Sequence, residues 1–567
     1  MVNKELHYRK DLNYYDVPVM NSMKEIMERA VKEAGDNIAF EYKDSKTNDI
    51  VKITYKEFDS DTNYLGTALS TMKVEDKHIA VIGENSYEWI TVYLTVLKGS
   101  GVLVPIDKEL TCEEIINVLK SSDSEVLFFS SKYEKFVDEI KKSVPKIKYF
   151  IGFSKEDDDK NILSYKKCLE KGKEELQNGN KDYTSIEHND TNKLKLLVYT
   201  SGTTGLPKGV MLSEHNLVSC TCYGLQVSTI YTKCLSVLPY HHTYEAVAGI
   251  LVGIHKHVTI CINDSLKNVL KNLQLYKPDY IYLVPAFAEV FYKSIWSKAE
   301  KSGKAAGLKM LIKLSDGLRK IGIDKRKKLF KSIHEAFGGN LRKIVVGGAP
   351  IRPELGKFFD SIGIDLTNGY GITECSPLVS VNMDDLNDPS TVGIVLPCCE
   401  IKFENVTPDG DGEICVKGDI VMMGYYKDKE RTEKVLTEDG WFNTEDYGRF
   451  NEKGQLIING RKKNLIVLNN GKNVYPEEIE NYLARIPYIA ECIVKGIKNE
   501  VGQEVCLCAE VFLNKEKIEE LEIENPEEEL KKDIAKVTKE LPIYKHIGKI
   551  EIRETEFNKT TTNKIKR

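Results

Sequence analysis

The chain has 567 residues, 29% of them charged and 41% hydrophobic, with a formal net charge of −5. That length exceeds what one hydrophobic core supports, so at least two folding units are expected, and the near-balanced charge gives no reason to expect a nucleic-acid partner while leaving room for a local basic patch. Thirteen cysteines lie without a Cys-x-x-Cys pair; the closest pairs, Cys220/Cys222, Cys398/Cys399 and Cys506/Cys508, lack zinc-site spacing and read as reduced thiols of a cytosolic protein.

The first residues, MVNKELHYRKDLNYYDVP, carry no apolar signal core, so a cytoplasmic location is expected. Up to about Phe150, amphipathic stretches alternate with short apolar runs at His78–Ile82, Val102–Ile106 and Glu125–Ser130, the pattern of βα units on a mostly parallel sheet. Ile90–Ile106 is the most apolar long window, but Lys98, Gly99 and Gly101 break it, and it reads as a buried helix and strand rather than a membrane span. Ser154–Lys193 is polar and charge-rich and reads as a connection.

The run Leu194–Val198 leads straight into Tyr199–Val210, YTSGTTGLPKGV. Glycines let a backbone turn its N–H groups toward an anion, Ser and Thr hydroxyls add donors, and Lys208 adds charge: this is a loop suited to phosphate. It is not a Walker A loop, because Lys208 follows Pro207 and precedes Gly209, with no Ser or Thr after it for magnesium. SGTTG alone reads equally as a plain turn; the extension through Pro-Lys-Gly-Val favours phosphate, with ATP or a similar polyphosphate as the guest.

Further strand-like runs follow at Cys234–Leu238, His257–Cys261, Tyr280–Val284 and Lys343–Val346, so two stacked α/β subdomains are expected. His241-His242 has no third ligand at a telling spacing and is not read as a metal site. Lys293–Lys343 is rich in Lys and Arg, densest at Lys325-Arg-Lys-Lys328; a solvated helix surface is the favoured reading, and peripheral contact with an anionic membrane the other. From Thr391 to Ile458 short strands and turns such as TPDGDG suggest a small β-rich subdomain, and the last hundred or so residues a separate small α/β domain.

Five segments, taken together, carry a resemblance. YTSGTTGLPKGV, Asn368-Gly-Tyr-Gly-Ile-Thr-Glu374, Gly440-Trp-Phe-Asn-Thr-Glu-Asp446, Gly460-Arg-Lys-Lys-Asn464 and Lys559-Thr-Thr-Thr-Asn-Lys564-Ile-Lys-Arg567 occur in the order and at the spacing of the adenylate-forming superfamily, which the chain resembles over nearly its whole length. LPYHHTYE, Val284–Tyr292, Thr373–Asn382 and Asn470–Glu480 resemble the bacterial long-chain fatty acyl-CoA synthetase branch. The resemblance implies an α/β fold: an AMP-binding N-terminal domain over 1–462, with subdomains of about 1–190, 191–390 and 391–462, and a mobile α+β lid over 463–567.

It also implies the chemistry: a fatty acid and ATP give acyl-AMP, and CoA then takes the acyl group. Thr200, Ser201, Gly202, Thr203, Thr204, Gly205, Lys208 and Thr373 would hold phosphate. Gly348, Ala349, Asn368, Gly369, Tyr370 and Gly371 would contact adenine and AMP, and Asp446 and Arg461 the ribose and nucleotide. Glu374 is the magnesium candidate. Catalytic roles fall to Lys564, Thr200, Glu374 and His242: Lys564 bridging carboxylate and α-phosphate, His242 positioning the acyl substrate beside Glu245. Lys463 is the hinge. Asn464, Asn558 and Asn563 depart from the usual aspartate, proline and glycine. A ligase loading a separate acyl carrier protein and a non-catalytic nucleotide- or fatty-acid-binding protein are the alternatives; no carrier segment is expected in this chain, and the oligomeric state stays open.

Overall fold

The computed structural model describes residues 7–44, 46–159, 161–200, 207–408, 410–469, 472–498, 502, 504–559 and 565. The chain divides into two compact units, one of Met1–Gly348, Pro353–Glu400 and Val416–Phe442, the other of Ala349–Arg352, Ile401–Cys415 and Asn443–Arg567.

The first unit is built on two large sheets. In the nine-stranded sheet, the central strands Thr259–Ile262, Lys233–Ser236, Tyr280–Leu283, Lys343–Val346 and Asp365–Gly371 run parallel. Antiparallel strands finish both ends: Ile50–Thr54 beyond Ile38–Lys43 on one side, Leu378–Val381 and Ile394–Val395 on the other. The eight-stranded sheet has a parallel centre through Val102–Pro105, His78–Ile82 and Val126–Phe129, with Leu194–Thr200 and Lys208–Ser213 as an antiparallel hairpin toward one edge. The apolar runs expected to be strands are strands, because fully buried parallel strands need apolar residues on both faces.

Helices fill the space between strand layers. Glu214–Val227 buries thirteen of its residues and packs on strands of both sheets, with its buried Asn216 and Gln226 amides donating to Asp419 O and Val17 O, and Tyr87–Lys98 is buried almost throughout. The stretch Ile90–Ile106 accordingly becomes this helix and the strand Val102–Pro105.

The segment Ser154–Lys193 is more than a polar connection. It holds the helix Tyr165–Gln177, which packs on the helix Tyr55–Thr71 through Tyr165, Cys168 and Gly172. A Cβ at Gly172 would lie 1.8 Å from Tyr64 O, so this helix docks by backbone approach rather than by large side chains. The sequence carries a narrow apolar side to match, Tyr165, Cys168, Leu169 and Leu176, among lysines and glutamates.

In the second unit, Cys399–Glu404, Gly412–Gly418, Phe442–Phe450 and Leu456–Arg461 form a four-stranded sheet in that order. A three-stranded sheet of Ile489–Lys498, Glu504–Leu513 and Ile547–Arg553 packs with the helices Pro476–Leu483 and Pro526–Val537 around Ile479, Leu483, Val494, Leu530 and Ile534. All thirteen cysteines are free thiols. Among the described residues no helix is long and apolar enough to cross a membrane, and no group of three or more His, Cys, Asp or Glu side chains could hold a metal ion.

Candidate active site

The segment 201–206 lies outside the described residues, but both of its ends are fixed. Thr200 and Lys208 are register partners in the antiparallel pair Leu194–Thr200 and Lys208–Ser213. The phosphate-type loop therefore joins two strands, and the helix Glu214–Val227 starts only after the second. A Walker A loop would instead run into a helix N-terminus. Thr200 Oγ1 is buried and has no hydrogen-bond partner among the described residues, which is costly for a hydroxyl unless a ligand or the adjoining segment supplies one.

Lys208 Nζ lies 2.7 Å from Glu374 Oε1 and 2.8 Å from the Tyr425 hydroxyl, which itself donates to Glu374 Oε1 at 2.9 Å. The ammonium also sits 4.7 Å from the centre of the Tyr425 ring. Three elements bring these groups together. Lys208 starts its strand, Tyr425 comes from Gly424–Tyr425 paired on that strand, and Glu374 lies in the tight turn Thr373–Cys375 beyond Asp365–Gly371. The Glu374 carboxylate is largely buried, and its Oε2 takes no donor among the described residues. One carboxylate oxygen left open beside a phosphate-type loop suits magnesium, which takes one or two protein carboxylates and fills its shell with water and phosphate oxygens.

In the same unit, Gly348 and Asn368–Gly371 sit at the carboxyl ends of parallel strands. At the carboxyl ends of such strands, ligands find a natural crevice. Asn368, Gly369, Tyr370 and Gly371 close the strand Asp365–Gly371, followed by Thr373. Only glycine fits at 371, where a Cβ would come 1.8 Å from Pro377 O. The Asn368 side-chain amide donates to Thr391 O at 3.1 Å, so it braces the 382–391 loop. Gly348, with φ of +80°, turns the chain after Lys343–Val346, and Ala349 follows it.

The Tyr244 hydroxyl donates to Val345 O at 3.1 Å, which ties the His242–Glu245 segment to the same strand ends. His241 and His242 have ring centres 4.1 Å apart, and His241 Nε2 lies 3.3 Å from Asp107 Oδ1. Glu245 is the second residue of the π-helix Tyr244–Leu251 and is fully buried, with Oε1 2.5 Å from Ser236 Oγ and Oε2 without a hydrogen-bond partner among the described residues. Burial pushes its carboxyl up to about 8, against the opposing hydrogen bonds from Ser236 and the Leu238 backbone.

In the second unit, Asp446 and Arg461 face each other across the antiparallel strands Phe442–Phe450 and Leu456–Arg461. Arg461 Nε lies 3.0 Å from Asp446 Oδ1; the aspartate is buried and the arginine half exposed. Beyond the strand, Lys462 pairs with Glu413 at 2.7 Å, Lys463 sits in the turn Lys462–Asn464, and Asn464 donates to Glu477 Oε1 at 2.5 Å. Lys564, like Ser201, Gly202, Thr203, Thr204 and Gly205, lies outside the described residues.

Sequence reasoning does not single out Tyr425. Its hydroxyl joins the site from 217 residues beyond Lys208, and nothing local in Gly424-Tyr425-Tyr426 marks one tyrosine over the next. Glu477 is equally invisible as the partner of Asn464.

The AMP-binding enzyme family model matches residues 27–426, and the AMP-binding enzyme C-terminal domain model matches 478–564. A long-chain-fatty-acid–CoA ligase, FadD15 of Mycobacterium bovis, is 29% identical over 76% of this chain and 73% of its own length. The chloroplastic long-chain-fatty-acid–[acyl-carrier-protein] ligase AEE15 of Arabidopsis thaliana is 28% identical over 89% of this chain and 78% of its own. Among solved structures, the anthranilate CoA ligase AuaEII in complex with anthranoyl-AMP superposes with a TM-score of 0.76 over 97% of this chain and 96% of that one, at 19% identity, so the fold is shared. With a family model spanning most of its length and a second one on its C-terminal part, the chain belongs to the AMP-binding enzymes.

Proposed function

We propose that this chain activates a medium- or long-chain fatty acid with ATP to acyl-AMP and pyrophosphate, then passes the acyl group to CoA and releases AMP. The observation that carries this reading is the Lys208–Glu374–Tyr425 cluster at the closed end of the phosphate-loop hairpin: a cation, a hydroxyl and a partly open carboxylate where a triphosphate needs them. The choice of fatty acid and CoA is supported by the relative FadD15.

In the first step a fatty-acid carboxylate oxygen attacks the α-phosphorus, the O–P bond forms, and the bond to pyrophosphate breaks. Two anions are forced together, so fixed positive charge and aligned donors lower the barrier most. Lys208, Thr373 and the Thr200–Gly205 segment hold phosphate, and Lys564 bridges the carboxylate and α-phosphate. Asp446, an acceptor-only carboxylate, takes both ribose hydroxyls, with Arg461 beside it. The turn at Gly348-Ala349 and the strand end Asn368–Gly371 receive adenine and AMP, and His242 positions the acid. Glu374 would hold magnesium, which supplies charge neutralisation on the phosphates.

In the second step the CoA sulfur attacks the acyl carbonyl and the bond to AMP breaks. We read 463–567 as a lid turning about Lys463 against a domain over 1–462, so that Lys564 serves only the first step. The enzyme is read as cytoplasmic, meeting its lipid substrate at the membrane surface. A second reading, transfer to an acyl carrier protein, is supported by the relative AEE15.

The test is AMP release by the purified protein across saturated fatty acids from short to long, with CoA or a carrier protein as acceptor. Turnover that peaks at a medium or long chain and needs CoA supports the first reading. Release with carrier alone moves the chain to the second, and no adenylation with any acid overturns both in favour of a binding protein.

A further inference from the structure

The segment from Lys293 to Lys331 carries thirteen Lys and Arg residues against Glu300, Asp316 and Asp324. Within it, the helix Ala305–Lys320 has a buried side held by side-chain contacts. Leu308 and Ser315 are buried there, Ser315 Oγ donates to Ser361 O at 3.2 Å, and Arg319 pairs with Asp360 at 2.6 Å, fixing this side on the helix Pro353–Ile362. The rotation of the helix is thereby set.

On the opposite side, Met310 and Leu314 stand one turn apart, and Ile321, just past the helix end, continues their stripe. Met310 is 67% and Ile321 70% exposed, with Leu314 about half exposed. Large aliphatic side chains this open, in one line on one helix, are unusual on a folded surface and mark a contact face. Lys309, Lys313 and Lys320 fall on the adjoining stripe of the same helix at the same spacing, and Lys325, Lys327 and Lys328 continue the charge beyond it. Among the described residues, Lys313, Lys320, Lys327 and Lys328 take part in none of the ion pairs that neutralise Arg319 and Arg326.

We infer that the outer face of Ala305–Lys320, with the turn through Ile323, is a docking surface for an anionic lipid bilayer: Met310, Leu314 and Ile321 enter the headgroup–acyl boundary, and the flanking lysines meet lipid phosphates. An apolar stripe bordered by lysines is what an in-plane membrane helix presents. The charge decides between occupants. A second copy would bring the same positive face against this one, and a nucleic acid would leave the aliphatic stripe without a partner. This goes beyond the proposed fatty-acid activation and rests on it only for the sense of a lipid partner.

The experiment is cosedimentation of the full chain with vesicles of phosphatidylcholine alone and with roughly 30% phosphatidylserine added, at low salt and at about 0.5 M salt. Two triple variants are compared, Met310→Ser/Leu314→Ser/Ile321→Ser and Lys313→Glu/Lys320→Glu/Lys327→Glu; all six positions are exposed, so both should fold. The expected result is wild-type binding to the anionic vesicles only, weakened by salt. The lysine variant should lose at least about tenfold in binding, since each lysine near such a surface contributes roughly a fivefold factor, and the serine variant should lose at least about tenfold through the apolar area it no longer buries. ATP–pyrophosphate exchange with a short, water-soluble acid should stay unchanged in both. No vesicle binding by wild type, equal binding by the variants, self-association that the serine variant abolishes, or binding to DNA in place of vesicles would overturn the inference. Vesicle binding needs no turnover, so its failure leaves the ligase reading intact, and failure of the exchange assay in wild type leaves the membrane result standing.

Discussion

Lys208 and Glu374, 166 residues apart in the chain, meet at 2.7 Å, with the Tyr425 hydroxyl within hydrogen-bond distance of both. The residue assigned to phosphate from one motif and the residue assigned to magnesium from another hold each other in place. Removing either should therefore disturb both. Lys208→Met is expected to slow adenylate formation by about 10²–10³, the size of losing one fixed donor to a charged transition state. Glu374→Gln keeps an acceptor for Lys208 but loses the charge, and should weaken the magnesium dependence of ATP–pyrophosphate exchange. Tyr425→Phe should cost about tenfold, the equivalent of one hydrogen bond. Exchange kinetics titrated with magnesium check all three, and a Glu374→Gln enzyme with unaltered metal dependence would remove Glu374 from the metal's shell.

Asp446 is buried against Arg461 on the neighbouring strand. Asp446→Asn keeps the shape but loses the acceptor-only carboxylate, leaving one acceptor oxygen and an NH2 donor where two acceptor oxygens faced the two ribose hydroxyls. KM for ATP should rise by about tenfold or more, with less effect on kcat, as for an interaction present equally in ground and transition states. Deoxy-ATP is the control: if the variant and wild type differ as much with the 2′-deoxy nucleotide as with ATP, the ribose role is wrong.

Lys564 is assigned from its motif alone, and its test must separate the half-reactions. Lys564→Ala should lower acyl-AMP formation by about 10²–10³ while leaving thioester formation from supplied acyl-AMP and CoA near the wild-type rate. Loss of both together would make the residue structural.

Much of this molecule is legible in its residues alone. Runs such as Tyr280–Val284 and Lys343–Val346 form central parallel strands because burial on both faces favours apolar residues, and the one charged member, Lys343, is buried with its ammonium paired to Asp384. What stays hidden is long-range. Nothing in Ile38–Lys43 says that it pairs with Thr259–Ile262 across some two hundred residues, nor in Gly424-Tyr425 that it adds a strand beside Lys208–Ser213. The helix Tyr165–Gln177 escapes notice because its apolar side is narrow, with Gly172 at its closest approach, inside a segment otherwise dominated by charge. The site follows the same rule: charged and glycine residues announce themselves in motifs, while Tyr425 and Glu477 act only through partners the fold brings to them.

Glu245 gives a pH signature. Its carboxyl has a folded-state pKa pushed up to about 8 by burial, against about 4.3 in an unfolded chain. Between these values the native state keeps a proton that the unfolded state has released, so this residue makes stability fall as pH rises through the window and adds no slope above it. Glu245→Gln removes the titration. The stability difference, variant minus wild type, should therefore grow from pH 5 to pH 8, by up to about 1.4 kcal/mol per pH unit. Urea midpoints at both values measure it, and a difference that is constant or shrinks toward pH 8 would show that Glu245 is ionised in the fold.

Asn464 stands where the resemblance to the adenylate-forming superfamily implies an aspartate, and its side-chain amide donates to Glu477 Oε1 at 2.5 Å. An aspartate there would have no proton to donate at neutral pH and would set two carboxylates against each other. Asn464→Asp should thus destabilise the turn Lys462–Asn464 against the helix Pro476–Leu483 by about 1.5–3 kcal/mol, the value of a hydrogen bond to a charged group. Two like charges sharing a site raise one carboxyl's pKa, so the loss should appear as pH rises above the ordinary carboxylate range and shrink below it, where the pair shares a proton. Adding Glu477→Gln to Asn464→Asp restores a donor and an acceptor with their places exchanged, and should recover most of the stability. Hydrogen exchange of the 462–483 amides at pH 4.5 and 7.5 reads the effect locally. Equal protection in Asn464→Asp and wild type at the higher pH would mean that the amide–carboxylate contact does not hold this turn, and that the asparagine serves some other purpose beside the proposed hinge at Lys463.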